Sequence, residues 1–210
     1  MAEKDLSWKF AEDFVVESEA IAAARAGSLE HGVEPVSPSQ GAQLAVLAAA
    51  TDAKAIIEVG TGFGVSGLWL FTGSPEATLT SIDIEVDYQQ SAKRAFADFG
   101  IPANRARLIA GRALEVLPRM NEASYDLVLV DADPGSVIEY VEHALRLVRI
   151  GGTVVVPHAL WRGRVADPAQ RDDTVSDFRT LLDTIAASTA VLSALSVAGD
   201  GLLQLTRVSA

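Results

Sequence analysis

The sequence has 210 residues, of which 49% are apolar and 21% charged, and it contains no cysteine. This length suits one domain with a substantial core, and the lack of cysteine excludes disulfides and thiolate metal sites. A net charge of -11 argues against a nucleic-acid partner, because phosphate backbones are bound through clustered Lys and Arg. An uncharged substrate, or one carried with a metal or a cationic cofactor, fits better. The opening MAEKDLSWKF has no apolar signal-peptide core and no run suits a membrane span, so a cytoplasmic protein without membrane contact is expected.

Helices are predicted to precede the first strand. Residues 8–26 have the pattern of an amphipathic helix, whose apolar side consists of Phe14, Val15, Ile21 and Ala22. A second helix follows a proline-containing loop, and Ser39 is its expected N-cap. Residues 1–50 therefore form a helical cap over the sheet or a neighbouring subunit, within a single domain of residues 1–210.

The chain is organised around residues 55–70, AIIEVGTGFGVSGLWL. Its first five residues form a short apolar run without polar alternation, which is typical of a strand covered on both faces in a parallel α/β sheet. A glycine-rich turn and a helical pattern follow directly. Glycines let a backbone approach a ligand closely, and ligands of such sheets bind beyond the carboxyl ends of the strands. The turn is therefore the leading candidate for binding a nucleotide-like ligand, through Gly60, Thr61 and Gly62.

Two acidic residues lie at or near the carboxyl ends of predicted strands, close to this turn. Glu58 lies one residue before the strand ends, and burying its charge is costly without a partner. A cationic ligand or the backbone amides of the turn are the expected partners. Asp83 ends the second strand, 23 residues after Gly60, where a carboxylate can accept hydrogen bonds from a ribose diol. The residues expected to border the adenine base are Ile84, Arg112 and Ala113.

Strands and helices alternate along the rest of the chain. Further strands are predicted at residues 78–82, 106–110, 126–130, 153–156, 190–197 and 202–207. Helices are predicted at residues 86–99, 114–117, 137–148 and 175–185. Gly151 and Gly152 are expected to stop the third of these helices, and Gly199-Asp200-Gly201 to form a hairpin-like turn. The connection from Pro157 to Asp173 is long and polar, as functional loops often are. This order predicts one doubly wound α/β domain with helices on both faces of the sheet.

The glycine turn leaves two cofactor classes open. The string Gly62-Phe63-Gly64-Val65-Ser66-Gly67 reads GxGxxG, as in nicotinamide-dependent oxidoreductases, although a dinucleotide turn needs its first glycine at the strand end. The longer stretch Glu58-Val59-Gly60-Thr61-Gly62-Phe63-Gly64 resembles the first motif of the S-adenosylmethionine-dependent methyltransferases. In that family the acid helps to hold the amino-acid end of the cofactor.

Later stretches extend this resemblance to the small bacterial O-methyltransferases related to catechol and caffeoyl-CoA O-methyltransferases. They are Val130-Asp131-Ala132-Asp133, Gly151-Gly152 and residues 159–165. Together with residues 35–43 and 58–67 the resemblance covers nearly the whole chain. It implies S-adenosylmethionine as cofactor, a Rossmann-like sheet of seven mostly parallel strands with an antiparallel last strand, an extra N-terminal helix, and a homodimer. The cofactor contacts that it implies are Val36, Glu58, Gly60, Thr61, Ser66, Asp83, Ile84 and Asp131.

Two departures from the family pattern bear on the chemistry. Family members with a divalent cation take ligands from the Asp that matches Asp131 and from an Asp-Asn pair after the fifth strand, which here is Pro157-His158. A lysine that often serves as the base is replaced by Pro134. Proline has no side-chain oxygen, and a hard cation prefers several oxygen ligands. A divalent metal is therefore in doubt, and no metal ligand is predicted.

His158 and Asp131 are the candidate catalytic residues. A phenolic hydroxyl has a pKa of about 10, so methyl transfer to it gains from a base, and histidine titrates in the useful range. The alternative is that His158 only packs at the strand end. Trp161 either stacks on a flat acceptor or anchors the loop to the core.

These residues predict methyl transfer to the hydroxyl of a small aromatic acceptor, catechol-like or phenol-like, without the family's usual metal. One alternative is a nicotinamide-dependent oxidoreductase. The other is a binding module that kept the cofactor pocket after losing the metal and the lysine.

Overall fold

The computed structural model describes residues 3–209, so residues 1, 2 and 210 of the predicted 1–210 domain lie outside it. The strands are β1 (Ala55–Val59), β2 (Thr78–Asp83), β3 (Ala106–Ala110), β4 (Tyr125–Val130), β5 (Val148–Pro157), β6 (Val191–Ser196) and β7 (Leu202–Arg207). The helices are α1 (Glu3–Asp13), α2 (Glu19–Glu30), α3 (Pro38–Ala50), α4 (Val65–Gly73), α5 (Val86–Asp98), α6 (Ala113–Val116), α7 (Val137–Leu147) and α8 (Asp173–Ala187).

The strands form one seven-stranded sheet in the order β3-β2-β1-β4-β5-β7-β6. Neighbouring strands from β3 to β5 pair in parallel, whereas β7 is antiparallel to both β5 and β6. The predicted doubly wound sheet with an antiparallel last strand is confirmed. Along residues 3–209, no helix combines the length and the apolar character that a membrane crossing needs.

Helices cover both faces of the sheet, and β1 is buried between them. Ile57 and Val59 pack in one apolar cluster with α7 and α8, whereas Ile56 packs in a second cluster with residues of α2, α3, α4 and α5. Because successive side chains of a strand point to opposite faces, Glu58 lies on the face of Ile56, toward α4.

The predicted helix at residues 8–26 is wrong, because the segment forms two helices, α1 and α2. The break falls in a stretch with two adjacent β-branched valines, Val15 and Val16, which are poor helix formers. It ends at Ser18, whose Oγ accepts a hydrogen bond from the backbone N–H of Ile21 at 3.3 Å and caps α2. Phe14 is 78% exposed, so it does not share a buried side with Ile21.

The N-cap of α3 is Ser37, not Ser39. Pro38 occupies the first helical position, where its missing N–H and fixed φ are tolerated, so the cap must be the residue before it. Ser37 and Gln40 form a capping box, in which each side chain accepts a bond from the other's backbone N–H. The Glu12 carboxylate also accepts from the backbone N–H of Ser39 at 2.9 Å, which ties α1 to the start of α3.

Gly151 and Gly152 do not stop a helix. The helix α7 ends at Leu147 and the chain passes directly into β5, which is longer than the predicted strand at residues 153–156. The two glycines lie inside β5, where its pairing with β4 changes register between Tyr125 and Leu127. A glycine in a strand often marks such an irregularity.

Candidate active site

The carboxyl ends of β1, β2 and β4 border a cavity of about 340 Å³, which we name the strand-end cavity. Its volume lies within the range of small-ligand sites. Its walls contain seven of the predicted cofactor residues: Gly60, Gly62, Asp83, Ile84, Arg112, Ala113 and Asp131. Tyr88 and Tyr140 also line it, and no motif in the sequence pointed to them.

A smaller pocket of about 70 Å³, the turn pocket, lies beside the glycine turn. It contains the predicted residues Val36, Thr61 and Ser66. The turn pocket and the strand-end cavity share Gly60, Gly62 and Asp131. The structure thus brings every predicted cofactor residue except Glu58 to the walls of two adjoining spaces.

Gly60 is required because two strand ends meet there. Its φ is 95°, and a Cβ at this position would lie 1.8 Å from the carbonyl oxygen of Asp131. The backbone N–H of Asp131 donates to the carbonyl of Val59 at 2.8 Å. Gly60 therefore allows the end of β1 to lie close to the end of β4. This contact fixes the position of Asp131.

Asp83 faces the strand-end cavity and also braces the glycine turn. Its Oδ2 atom accepts from the backbone N–H groups of Thr61 and Gly62, each at 2.9 Å, and Oδ1 accepts from that of Glu85 at 2.9 Å. A carboxylate has about four acceptor positions, so one remains for a ligand hydroxyl. The backbone amides of Thr61 and Gly62 are thus bound by Asp83 and not by Glu58, for which they were one of the two expected partners.

Glu58 is fully buried and lines neither space. Its oxygens accept from the hydroxyls of Ser66 at 2.6 Å and Ser81 at 2.5 Å. Burial raises the pKa of Glu58 to about 7, the two hydroxyls oppose this rise, and the charges of Asp131 and Asp83 add to it. Its partners are therefore neutral hydroxyls, and its influence reaches the turn pocket through Ser66.

His158 and Asp131 stand between the cofactor side and an open groove. The inner pocket, of about 30 Å³, is lined by both residues together with Pro134 and Trp161. The outer groove, of about 620 Å³, is lined by His158 but not by Asp131. The Nε2 atom of His158 lies 3.8 Å from Oδ1 of Asp131. The predicted catalytic pair thus lies where the two sides of the site meet.

Acidic neighbours give His158 unusual electrostatics. Its Nδ1 atom lies 2.6 Å from Oδ1 of Asp200, which is in the turn between β6 and β7. Burial disfavours the imidazolium, but the hydrogen bond to Asp200 and the charges of Asp131, Asp200 and Glu34 outweigh it and raise the pKa of His158 to about 9. The pKa of His158 therefore lies above that of an ordinary histidine, so the side chain is protonated at neutral pH.

The two carboxyl groups beside His158 respond in opposite directions. Burial, with the charges of Asp200 and Glu34, raises the pKa of Asp131 above its usual range, although His158 opposes the rise. Burial also acts on Asp200, but the hydrogen bond and the charge of His158 outweigh it and lower the pKa of Asp200. Asp131 is therefore the better proton acceptor of the two.

The loop after β5 holds a strained backbone. His158, Trp161 and Arg162 have φ values of 58°, 46° and 56°, in a region that costs of order 1–3 kcal/mol per residue and persists only where the surroundings enforce it. Arg179 holds the following part of the loop by donating to main-chain carbonyls of Val165, Asp167 and Gln170. Trp161 stacks on Phe178 with ring centroids 5.7 Å apart. Trp161 therefore anchors the loop, as one of the two interpretations proposed.

Asp200 and Glu34 are two further site residues to which no motif in the sequence pointed. Asp200 lies between two glycines in a hairpin-like turn, where an Asp is ordinarily a turn residue. Glu34 lies in a loop, and its carboxylate pairs with the Arg162 guanidinium. Both reach the site through contacts between residues far apart in the chain, so no local pattern signals them.

Comparison with known proteins identifies the family. A family model described as O-methyltransferase matches residues 16–208. The chain belongs to the O-methyltransferase family. A relative from Mycobacterium avium (strain 104), whose name assigns it provisionally to the O-methyltransferases, is 47% identical over 198 residues, which is 94% of this chain and 89% of the relative. The nicotinamide-dependent alternative is not favoured.

Solved structures agree with this O-methyltransferase assignment. The O-methyltransferase TomG from Streptomyces achromogenes, involved in tomaymycin synthesis and determined in complex with S-adenosylmethionine, is 31% identical with a TM-score of 0.86, and the match covers 100% of both chains. A protein from Corynebacterium glutamicum is 28% identical with a TM-score of 0.91, covering 100% of this chain and 99% of the other.

The donor set at the site does not fit the divalent cation of some O-methyltransferases. Within the described part of the chain, no three His, Cys, Asp or Glu side chains are grouped so that they could hold a metal ion. At the family's ligand position stands Pro157, which has no side-chain donor, so the side-chain donors beside it are the Asp131 carboxylate and the Nε2 atom of His158. A hard cation prefers several oxygen ligands.

Proposed function

We propose that the protein transfers a methyl group from S-adenosylmethionine to the hydroxyl of a small aromatic acceptor, catechol-like or phenol-like, without a divalent metal. The observation that carries this proposal is the location of Asp131 and His158. Asp131 lines the strand-end cavity, the turn pocket and the inner pocket, and His158 lines the inner pocket and the outer groove. Donor and acceptor sites therefore adjoin at this pair.

The strand-end cavity and the turn pocket fit S-adenosylmethionine. Bound there, the cofactor supplies an electrophilic methyl group on a positively charged sulfur. Asp83 has one acceptor position left for the ribose, and Ile84 and Arg112 border the cavity on the base side. Val36, Thr61 and Ser66 surround the amino-acid end. Further contacts that we assign to the cofactor are Gly60, Gly62, Ala113 and Asp131.

Glu58 acts on the cofactor site through Ser66. Its side chain is fully buried and is separated from the turn pocket by the Ser66 hydroxyl, which it binds at 2.6 Å. Its negative charge favours a nearby ammonium or sulfonium group even without contact, because the buried surroundings screen the charge weakly. Cofactor binding should therefore lower the pKa of Glu58 from about 7 and release a proton near neutral pH.

The acceptor oxygen has a place between His158 and Asp131. The 3.8 Å between Nε2 and Oδ1 is too long for a direct hydrogen bond, but an oxygen can lie about 2.8 Å from both atoms. His158 is protonated at neutral pH because of its raised pKa, so Nε2–H donates to the acceptor oxygen and stabilises its developing negative charge. Asp131 accepts the hydroxyl proton at Oδ1.

The outer groove is the proposed route for the acceptor. It is open to solvent, and its walls combine the apolar residues Trp8, Leu160 and Val197 with the ion pair of Glu34 and Arg162. The basic side chains of this wall are His158 and Arg162. Arg162 already forms an ion pair with Glu34, so its charge is largely neutralised. The groove therefore suits an uncharged ring better than a highly anionic acceptor.

We also propose that two copies associate through the side of the molecule that carries α1 and β6. Trp8 of α1 and Val197, which directly follows β6, line the outer groove. Large exposed apolar side chains of α1 are Leu6, Trp8 and Phe10, and those of the edge strand β6 and the residue after it are Leu192, Leu195 and Val197, which lie on both faces of the strand. Exposed apolar residues beside an edge strand favour association. In sedimentation experiments Phe10→Asp should dissociate the dimer, while Ile150→Asp, exposed near the amino end of β5, should not.

Binding and turnover test the proposal in two steps. Calorimetric titration should show binding of S-adenosylmethionine and of its demethylated product, and none of NADH. A methyl-transfer screen over catechols and other phenols should then yield a methylated product. His158→Ala should lower turnover with that acceptor by about 10²–10³-fold, the usual effect of removing one hydrogen-bond donor to a developing oxyanion. Cofactor binding without any turnover would instead support the non-catalytic binding module.

A further inference from the structure

We propose that Asp200 is a positioning residue that holds the His158 ring with its Nε2 atom toward Asp131 and the acceptor. Asp200 lines the outer groove but not the strand-end cavity, the turn pocket or the inner pocket, so its effect on the chemistry is exerted through the histidine. This role rests on the function proposed above. The turn between β6 and β7 therefore positions a catalytic side chain in addition to connecting the two strands.

A short hydrogen bond fixes the ring. Oδ1 of Asp200 lies 2.6 Å from Nδ1 of His158, and because a carboxylate can only accept, Nδ1 carries the proton. The side chains of His158 and Asp200 are 16% and 21% exposed, so water competes weakly for this bond. With Nδ1 engaged, Nε2 is the ring atom left to face Asp131. A carboxylate behind a catalytic histidine fixes its tautomer and orientation in the same way in other enzymes.

Backbone contacts hold Asp200 against the loop of His158. The carbonyls of Asp200 and Gly201 accept from the N–H groups of Leu160 at 2.9 Å and Ala159 at 3.1 Å. Gly201 has a φ of 106°, and a Cβ there would lie 2.5 Å from the backbone nitrogen of Leu160. The Gln40 side chain of α3 donates to the carbonyl of Gly201 at 3.2 Å. The turn is thus clamped between α3 and the loop, and Asp200 has little freedom.

The Asp200 carboxylate also binds the strained backbone of the loop. Its Oδ2 atom accepts from the backbone N–H of Arg162 at 3.2 Å, and both Arg162 and His158 have left-handed backbone. The charged groups that face the ring are Asp131 at the end of β4, Asp200, and Glu34 in the loop before α3, with Arg162 paired to Glu34. The hydrogen bond and charge of Asp200 contribute to the raised pKa of His158. A test must therefore separate ring positioning from loop stability.

Nuclear magnetic resonance of the imidazole nitrogens makes this separation. The protein has three histidines, so His31 and His143 serve as internal references in nitrogen-15-labelled protein. Spectra are recorded over a pH series that spans the His158 pKa of about 9. The variants are Asp200→Ala and Asp200→Asn, and the matched control is Asp167→Asn, an exposed Asp of the same loop that does not contact His158.

In the wild-type protein, neutral His158 should carry its proton on Nδ1. Asp200→Ala should return it to the Nε2-protonated form that free imidazole side chains prefer and lower its proton affinity by about tenfold or more, as expected on loss of a bond between charged groups. Asp200→Asn keeps an acceptor oxygen, so the tautomer should persist while the proton affinity falls. Asp167→Asn should match the wild type.

An Nε2-protonated wild-type His158, or a His158 spectrum that Asp200→Ala and Asp200→Asn leave unchanged, would overturn the proposal. Should Asp200→Ala fail to fold, the wild-type tautomer and the Asp200→Asn titration still decide. None of these readouts needs methyl donor or acceptor. A failure here is therefore distinct from a failure of the proposed methyl transfer.

Discussion

Replacing His158 by Gln should remove a pH-dependent part of the free energy of unfolding. The folded-state pKa of His158 is raised from 6.5 to about 9, so the folded protein binds a proton that the unfolded chain releases in this range. This contribution is fully present below pH 6.5 and is lost as pH rises through about 9. At about 1.4 kcal/mol per pH unit, the rise from 6.5 to about 9 amounts to at most about 3.5 kcal/mol. Because the His158 side chain is 16% exposed, solvent screening makes this contribution to the free energy of unfolding somewhat smaller.

Urea unfolding at pH 6.5 and pH 9.5 measures this contribution, at one protein concentration so that any association affects all samples equally. The wild type should lose about 2–3 kcal/mol more than His158→Gln between the two values. His143→Gln, the control, should behave as the wild type. An equal pH dependence in wild type and His158→Gln would refute the electrostatic description of the site, because the acidic neighbours would then not hold the imidazolium.

Three further predictions concern the cofactor side. Glu58→Gln should flatten stability between pH 4.5 and about 7 in urea unfolding, because the raised pKa of Glu58 makes the wild type lose stability as pH rises through this window; an unchanged slope contradicts this. Gly60→Ala should destabilise the fold by at least about 1–3 kcal/mol, because its Cβ would collide with the carbonyl oxygen of Asp131. In calorimetry this variant should no longer bind the demethylated cofactor. Asp83→Asn should weaken that binding by about 1.5–3 kcal/mol, and unchanged affinity would remove Asp83 from the ribose.

The sheet could be predicted because its strands carry their own signal. The apolar run of β1 is buried on both faces, and the glycines after it match the turn that the structure contains. The position of the cofactor residues followed from the rule that ligands bind at the carboxyl ends of parallel strands. The boundaries in the N-terminal part were less predictable, since the break after α1 depends on the cap at Ser18 and on packing against α3.

The chemistry of the site was harder to predict because it depends on distant residues. His158 and Asp200 are 42 positions apart, and the pKa of His158 reflects charges that arrive from three other segments of the chain. Likewise, the hydroxyl partners of Glu58 come from α4 and β2. A sequence indicates which residue types are present, but the balance of burial and charge exists only after folding.

Turnover in the presence of excess EDTA, compared with turnover after addition of Mg²⁺, tests the central claim most directly. The acceptor is the catechol or phenol that the screen identifies, and S-adenosylmethionine is the donor. Equal rates under both conditions are predicted, because His158 and Asp131 hold the acceptor oxygen without a cation. Activity that EDTA abolishes and Mg²⁺ restores would contradict the account.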